Sequence, residues 1–285
     1  MAQRMRAWKL SHKVCFDGRG AYAAEWEEYR LIDDDALIAQ FRPLEHAAVH
    51  HSDMRLAVSH ALVVHWTERY GWKGDDYVVV PCALGADHAT TSAGSRVSPA
   101  ITERRPEVDP TLRKEVVLVY SGSTAGWQSF ELLKELLIPL LEEQSHVRVL
   151  FLSKSDANNK ALQEQFPGRV EVRWAIPAEV AGILAGCDHG LLIREDTITN
   201  RVASPTKFAE YLAAGLPILI SAHIGDFSTT VREHDLGTVW TAGTALPELA
   251  RTDAIRRTHL QAYAAQHLTK AAFDEAYRRI LSALS

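Results

Sequence analysis

From residue 115 onward the chain alternates short apolar runs with longer amphipathic stretches. The runs EVVLVYS (115–121), VRVLFLS (147–153), VEVRWA (170–175), HGLLIR (189–194), PILIS (217–221) and GTVWTA (237–242) predict strands. Stretches such as SFELLKELLIPLLEE predict helices between them, with Pro139 expected to kink or break that one. Strands separated by helices imply a parallel sheet wound on both faces. Upstream, DDDALIAQFRPLEHAAVHH predicts a helix whose acidic opening suits the positive end of the dipole. RLAVS (55–59) predicts a strand, HALVVHWTERYG a helix closed by glycine, and DYVVVPCA (76–83) another strand. Two final helices are expected near 253–268 and 270–284.

Between the halves, TTSAGSRVSPAITERRPEVDPTLRK (90–114) mixes Gly, Ser, Pro and charge without apolar periodicity and reads as a linker. The expected organisation is a partial first domain plus linker over 1–107, a second domain over 108–268, and a C-terminal helix over 269–285 that packs back on the first. Composition changes little: of 285 residues, 47% are hydrophobic and 24% charged, as in soluble globular chains. A net charge of −5, with neither half strongly basic, argues against nucleic acid as a partner. Cys15, Cys82 and Cys187 are odd in number and lack CxxC spacing, which predicts a reducing compartment and no zinc site. No apolar run approaches the roughly 20 residues of a membrane helix, and MAQRMRAWKLSHKVCF is no secretory signal, so the expected location is cytoplasmic. Trp8 among Arg4, Arg6 and Lys9 is a candidate contact with a membrane surface. His46 and His50 share a helix face, but no carboxylate or cysteine supports them at metal-ligand spacing, and no metal is expected.

Ligands of doubly wound sheets bind beyond the carboxyl ends of the strands, which reduces the candidates to a few loops. In YSGSTAGWQ (120–128), Gly122 and Gly126 permit close backbone approach, and the N–H groups of Ser123 and Thr124 suit an anion at a helix start. The stretch is neither GxGxxG nor a P-loop, and the alternative is a plain glycine-rich turn. The second loop, REDTITNRVASPTK (194–207), leads into SPTKFAEYLAAGLPILIS. Ser204 is expected to cap a helix, Pro205 to occupy its first turn and Gly215 to end it. Phe208, Tyr211 and Leu212 follow helical spacing toward the sheet, so Lys207 and Glu210 lie off that stripe. A lysine near a positive helix end is unfavourable unless an anion is close. With Arg194 and Arg201 on the same loop, a diphosphate fits, and Glu210 suits the paired hydroxyls of a ribose. The alternative is a solvated Lys207–Glu210 pair of little consequence.

The string S-P-x-K-x-x-E-Y followed by G-x-P-I resembles the donor-binding signature of retaining family-4 glycosyltransferases of the GT-B fold (group 1). The resemblance implies an α/β protein with two Rossmann-like domains of parallel sheets, the N-terminal one short or truncated. By resemblance Lys207 lies near the diphosphate of a nucleotide sugar and Glu210 holds its ribose. Gly122, Ser123 and Thr124 belong to the glycine turn, Ser204 and Pro205 to the donor loop, and Trp174, Ala175 and Ile176 to a segment whose backbone reads the base. FDGRGAYAAEW (16–26) resembles a segment between sheet and cleft, which makes Asp17 and Arg19 active-site candidates; the alternative is a turn ion pair. AVSHALVVHWTERYGWKGDDYVVVP resembles the end of the family's first domain.

Two positions depart from the pattern. Val202 stands where the family often has a second glutamate, and Trp127 and Gln128 where many members carry Arg or Lys. The diphosphate clamp then falls on Lys207, Arg194 or Arg201. First domains of the family are also longer, so an open sheet is expected to expose an edge and an apolar face and to favour a homodimer. The implied activity is sugar transfer from a nucleotide-diphosphate sugar to a glycan or lipid-linked acceptor, with retention, no metal and no cofactor besides the donor. The rival readings are a catalytically silent sugar-nucleotide-binding subunit and a GT-B nucleotide-sugar epimerase.

Overall fold

Every strand pair in the computed structural model, which describes residues 13–85, 115–122 and 129–285, runs parallel. The expectations placed on Arg4, Arg6, Trp8, Lys9, Ser123, Thr124, Gly126, Trp127, Gln128 and the whole linker (90–114) lie outside the described residues. The first sheet comprises β1 (Cys15–Gly18), β2 (Met54–Ala57) and β3 (Tyr77–Val79) in that order. Helices α1 (Tyr22–Tyr29) and α2 (Asp35–His51) cross from β1 to β2, and α3 (His60–Tyr70) from β2 to β3. The caps are those the sequence supplies. Asp34 accepts the Leu37 N–H, Ser59 accepts the Leu62 N–H, and Gly71 closes α3 at φ 68°.

The second sheet holds β4 (Val116–Ser121), β5 (Val147–Leu152), β6 (Val170–Arg173), β7 (His189–Leu192), β8 (Ile218–Ser221) and β9 (Gly237–Trp240). Their order is β6-β5-β4-β7-β8-β9, so the winding reverses between β4 and β7. Its helices are α4 (Phe130–Glu143), α5 (Ala157–Gln165), α6 (Pro177–Ala185), α7 (Ile198–Arg201), α8 (Thr206–Ala213), α9 (Phe227–Glu233) and α10 (Ala254–His267). Pro139 does not break α4, because buried leucines on both sides of it (Leu133, Leu136, Leu137, Leu140 and Leu141) anchor the helix to the sheet. Several strands stop one to three residues short of their apolar runs. Those residues, Arg194 among them, turn out of the ladder at its carboxyl edge.

The last helix, α11 (Asp274–Leu284), returns to the first sheet. Ile280, Tyr277 and Ala276 pack on Met54, Leu56, Val78 and Val80, while α2 and α3 cover the opposite face with Val49, Leu62 and Trp66. The apolar face that sequence alone leaves open is therefore covered by the chain itself.

The two domains interlock around residues 196–204. The Val202 side chain is 3% exposed and packs among Ala21, Ala24, Ala57, Val58 and Leu62 of the first domain. The Ser59 hydroxyl donates to its carbonyl at 2.7 Å. Glu28 accepts the Ile198 and Thr199 N–H groups at 2.7 and 3.0 Å, and Asp226 reciprocates on His60 and Ala61 at 2.7 and 3.0 Å. Each carboxylate thus sits at the start of a helix of the other domain, where the dipole favours it.

Glu45 is a buried carboxyl at the start of α1. Its Oε2 accepts the Ala23 N–H and the Tyr70 hydroxyl, while Oε1 has no partner among the described residues. Burial pushes its pKa up. A raised folded pKa contributes stability that is present below the unfolded carboxylate value, near pH 4.3, and lost as pH rises through the folded value. Glu45→Gln is therefore expected to raise the melting temperature at pH 7–8 and to give no advantage below about pH 4. Thermal melts across that range check it, and a gain confined to acid would reverse the assignment.

Candidate functional site

The crevice of such a sheet lies beyond the carboxyl ends of the two strands where the order reverses, here β4 and β7. Arg194 stands two residues past the end of β7 and is 8% exposed. Its main-chain N–H is held by the Ser221 hydroxyl at 2.8 Å. The guanidinium has one long contact, Nη1 to Asn200 Oδ1 at 3.4 Å, and its Nε has no hydrogen-bond partner. No carboxylate pairs with it among the described residues. The groups around it are the tyrosine hydroxyls of Tyr120, Tyr29 and Tyr211. Burial pushes its pKa down and those hydroxyls pull it part of the way back, yet a guanidinium stays charged in any physiological buffer. A buried charge without a counter-ion is costly.

The other cations of the loop differ. Arg201 forks onto Asp196 at 2.5 and 2.8 Å on the surface, and this pairing lowers the Asp196 pKa. Lys207 Nζ lies 2.6 Å from Glu210 Oε2, with the side chains 30% and 22% exposed. The two meet on the outer flank of α8, one turn from its start, while Phe208, Tyr211 and Leu212 are fully buried beneath. Without a ligand, each is the other's partner.

Ser204 does not cap α8. Pro205 is the N-cap residue and supplies no side-chain bond, while the Ser204 hydroxyl accepts the Cys82 N–H at 2.9 Å. The first domain competes successfully for that oxygen, so the serine ties the domains together and the leading N–H groups of α8 lack a side-chain cap. Gly215 closes the helix with φ 76°. Gly122 follows β4, and a β-carbon there would lie 3.1 Å from the Tyr120 hydroxyl oxygen.

Trp174, Ala175 and Ile176 follow β6, the edge strand, and Trp174 is 61% exposed. The Ile176 N–H and C=O are both engaged, with the Glu179 carboxylate and N–H respectively. Asp17, near the end of β1, and Arg19, just past it, pair at 2.8 Å and are half-exposed, and the Tyr22 hydroxyl bridges their backbone. None of these bonds reaches the second domain. Arg194, Gly122 and the start of α8 thus share the carboxyl edge of the second sheet, whereas Asp17 and Arg19 belong to the end of β1 in the first. Tyr120, Tyr29 and Asn200 were not marked by sequence spacing, since they come from separate elements, and Tyr211 was marked only as part of the buried stripe of its helix.

Comparison with solved structures gives the architecture. Sucrose-phosphate synthase from Thermosynechococcus elongatus superposes with a TM-score of 0.56 over 98% of this chain and 66% of its own, at 13% identity. HepE from Anabaena in complex with UDP and glucose gives 0.64 over 95% and 72%, at 12% identity. A glycosyltransferase from Rickettsia africae gives 0.52 over 100% and 75%, at 14% identity. The fold is GT-B. No family model matches the chain, and no curated protein matches it in sequence. The chain spans 66% of the length of the sucrose-phosphate synthase, and at these identities the likeness concerns the fold alone. In this GT-B architecture the short first domain and α11 form one lobe, and the six-stranded sheet the other. Among the described residues no helix is long and apolar enough to cross a membrane.

Proposed function

We propose that the chain is a retaining glycosyltransferase of the family-4 type, moving a sugar from a nucleotide-diphosphate sugar to a glycan or lipid-linked acceptor. The observation that carries this reading is Arg194, a buried guanidinium with no carboxylate among the described residues, at the reversal point of the sheet. A diphosphate supplies the missing charge. Lys207 and the open N-terminus of α8 then complete its neutralisation, and Glu210, released from Lys207, takes the ribose hydroxyls. The donor in this reading lies between Gly122 on one side and Ser204 and Pro205 on the other, with its base toward Trp174, Ala175 and Ile176. HepE, similar in fold, was solved with UDP and glucose, the ligand class this pocket suits.

During transfer negative charge grows on the leaving phosphate. Donors fixed before the reaction and aimed at that charge commonly form the largest single catalytic term. If Arg194, Lys207 and the helix terminus together contributed about 3–4 kcal/mol, transfer would be some 10²–10³-fold faster than without them. This chain's own cations serve the leaving group, so the reading requires no metal. Asp17 and Arg19 belong to the acceptor-side lobe in this scheme and would act there only once an acceptor displaces their mutual pairing.

Removing either member of the outer pair separates its roles. Lys207→Ala is expected to weaken nucleoside diphosphate about tenfold or more and free nucleoside little, a charge-assisted contact being worth about 1.5–3 kcal/mol. Glu210→Ala is expected to weaken both alike, with the melting temperature nearly unchanged because a pair still partly open to solvent contributes little to stability. Calorimetric titration of both variants checks this, and unaltered nucleotide affinity would remove the pair from the site.

A second reading, a silent sugar-nucleotide-binding subunit, is favoured by Val202. Where the family often has a glutamate, this chain buries an apolar side chain in the first domain. Transfer or donor hydrolysis by the purified protein supports the enzyme. Tight nucleotide binding without turnover supports the silent subunit.

A further inference from the structure

β4 and β7 pair over Leu118↔His189 and Val119↔Gly190 and then part. Past that point the Ser121 N–H and the Leu191 carbonyl face the split without meeting each other. Tyr211, reaching in from α8, occupies the gap. Its hydroxyl accepts the Ser121 N–H at 2.8 Å and lies 3.4 Å from the Leu191 carbonyl oxygen. The ring is wholly buried and crosses β7 at Gly190, where a β-carbon would lie 2.3 Å from the ring. Only glycine leaves that passage open. Beside it, the Tyr120 phenol lies against Gly122 and is the foremost hydroxyl near Arg194.

We propose that Tyr211 is a positioning residue, its hydroxyl wedging the split between β4 and β7 so that Gly122 sits at one fixed height relative to Arg194. Ser121 is the last residue of β4 and Gly122 follows it directly, so the bond to the Ser121 N–H restrains the strand end that carries Gly122. Leu191 is three residues before Arg194, so the same oxygen references both sides of the crevice. The helix that carries Tyr211 also carries Lys207 and Glu210, and it therefore links the outer pair to the end of β4 through one rigid element. A diphosphate spanning Arg194 and Gly122 needs both at matched separation, whereas a base and ribose do not. The inference rests on the diphosphate reading of the site.

The test is Tyr211→Phe in the full chain, titrated with UDP, GDP, uridine and guanosine beside the wild type. The ring stays and only the oxygen goes. Expected is a loss of about tenfold in diphosphate affinity, as small misplacements of a binding group can produce, with nucleoside affinity kept within about twofold. Equal losses for diphosphate and nucleoside, or none, would overturn the positioning role. A wild type that binds neither UDP nor GDP would sink the diphosphate reading, and this inference with it. Should the variant not fold, amide exchange in the ligand-free wild type decides the matter. The Ser121 N–H must be protected as strongly as the interior of β4, and rapid exchange there contradicts the wedge.

Discussion

Arg194→Met is expected to abolish diphosphate binding and to raise the melting temperature in the same protein. The two effects have one origin. The guanidinium is buried with a single long contact and no carboxylate among the described residues, so the folded state carries a desolvation cost that Asn200 and the nearby tyrosines offset only in part. Methionine fills similar volume without charge, and replacing poorly paired buried charge by apolar groups commonly gains about 1–4 kcal/mol. The same change removes the pocket's innermost cation. Truncating one partner of a buried charge pair costs about 2–5 kcal/mol, or roughly 30- to 5,000-fold in affinity. Thermal melting and calorimetric titration on one sample read both quantities. A variant that melts lower and binds nucleotide as before would make Arg194 a structural residue.

Val202→Glu installs the acid that family-4 glycosyltransferases often carry at the corresponding position of their motif, and it is expected to damage the protein instead of improving it. The side chain is packed among Ala21, Ala24, Ala57 and Leu62, with Ser59 bonded to its carbonyl. A carboxylate there has no compensating cation among these neighbours. The expected loss is about 3–5 kcal/mol, the range found when a buried charge is left uncompensated. Because the site joins the lobes, scattering in solution should show a larger radius, and the melt should broaden into two steps. Full stability with faster donor turnover would mean that the lobes part in solution and that position 202 faces the sugar after all.

The second sheet was largely legible because fully buried parallel strands are continuous apolar runs, and helices of ordinary length separate them. The buried stripe of α8, with Lys207 and Glu210 off it, followed from helical spacing. What could not be read depended on partners distant in sequence. Ser204 had the composition of a cap, but Cys82, in the other lobe, donates to its oxygen. Pro139 had the chemistry of a break, but five leucines hold the helix through it. Arg194 was singled out by its loop, while the lack of an opposing carboxylate among the described residues is a property of the packed interior. Val202 stood out only as a departure, and its burial in the first domain needed coordinates. The Tyr211 wedge depends on Gly190 twenty-one positions earlier, a pairing that neither residue announces on its own.

The chain enters the first lobe twice, once through β1 to β3 and again through α11. That lobe is therefore not a contiguous cassette. Exchanging it between relatives as a single N-terminal block would strip the recipient of the helix that seals Met54, Leu56, Val78 and Val80, or leave a foreign helix lying over them. A workable chimera has to carry residues 13–85 and 274–284 together, and recombination that respects only the linker should yield insoluble hybrids.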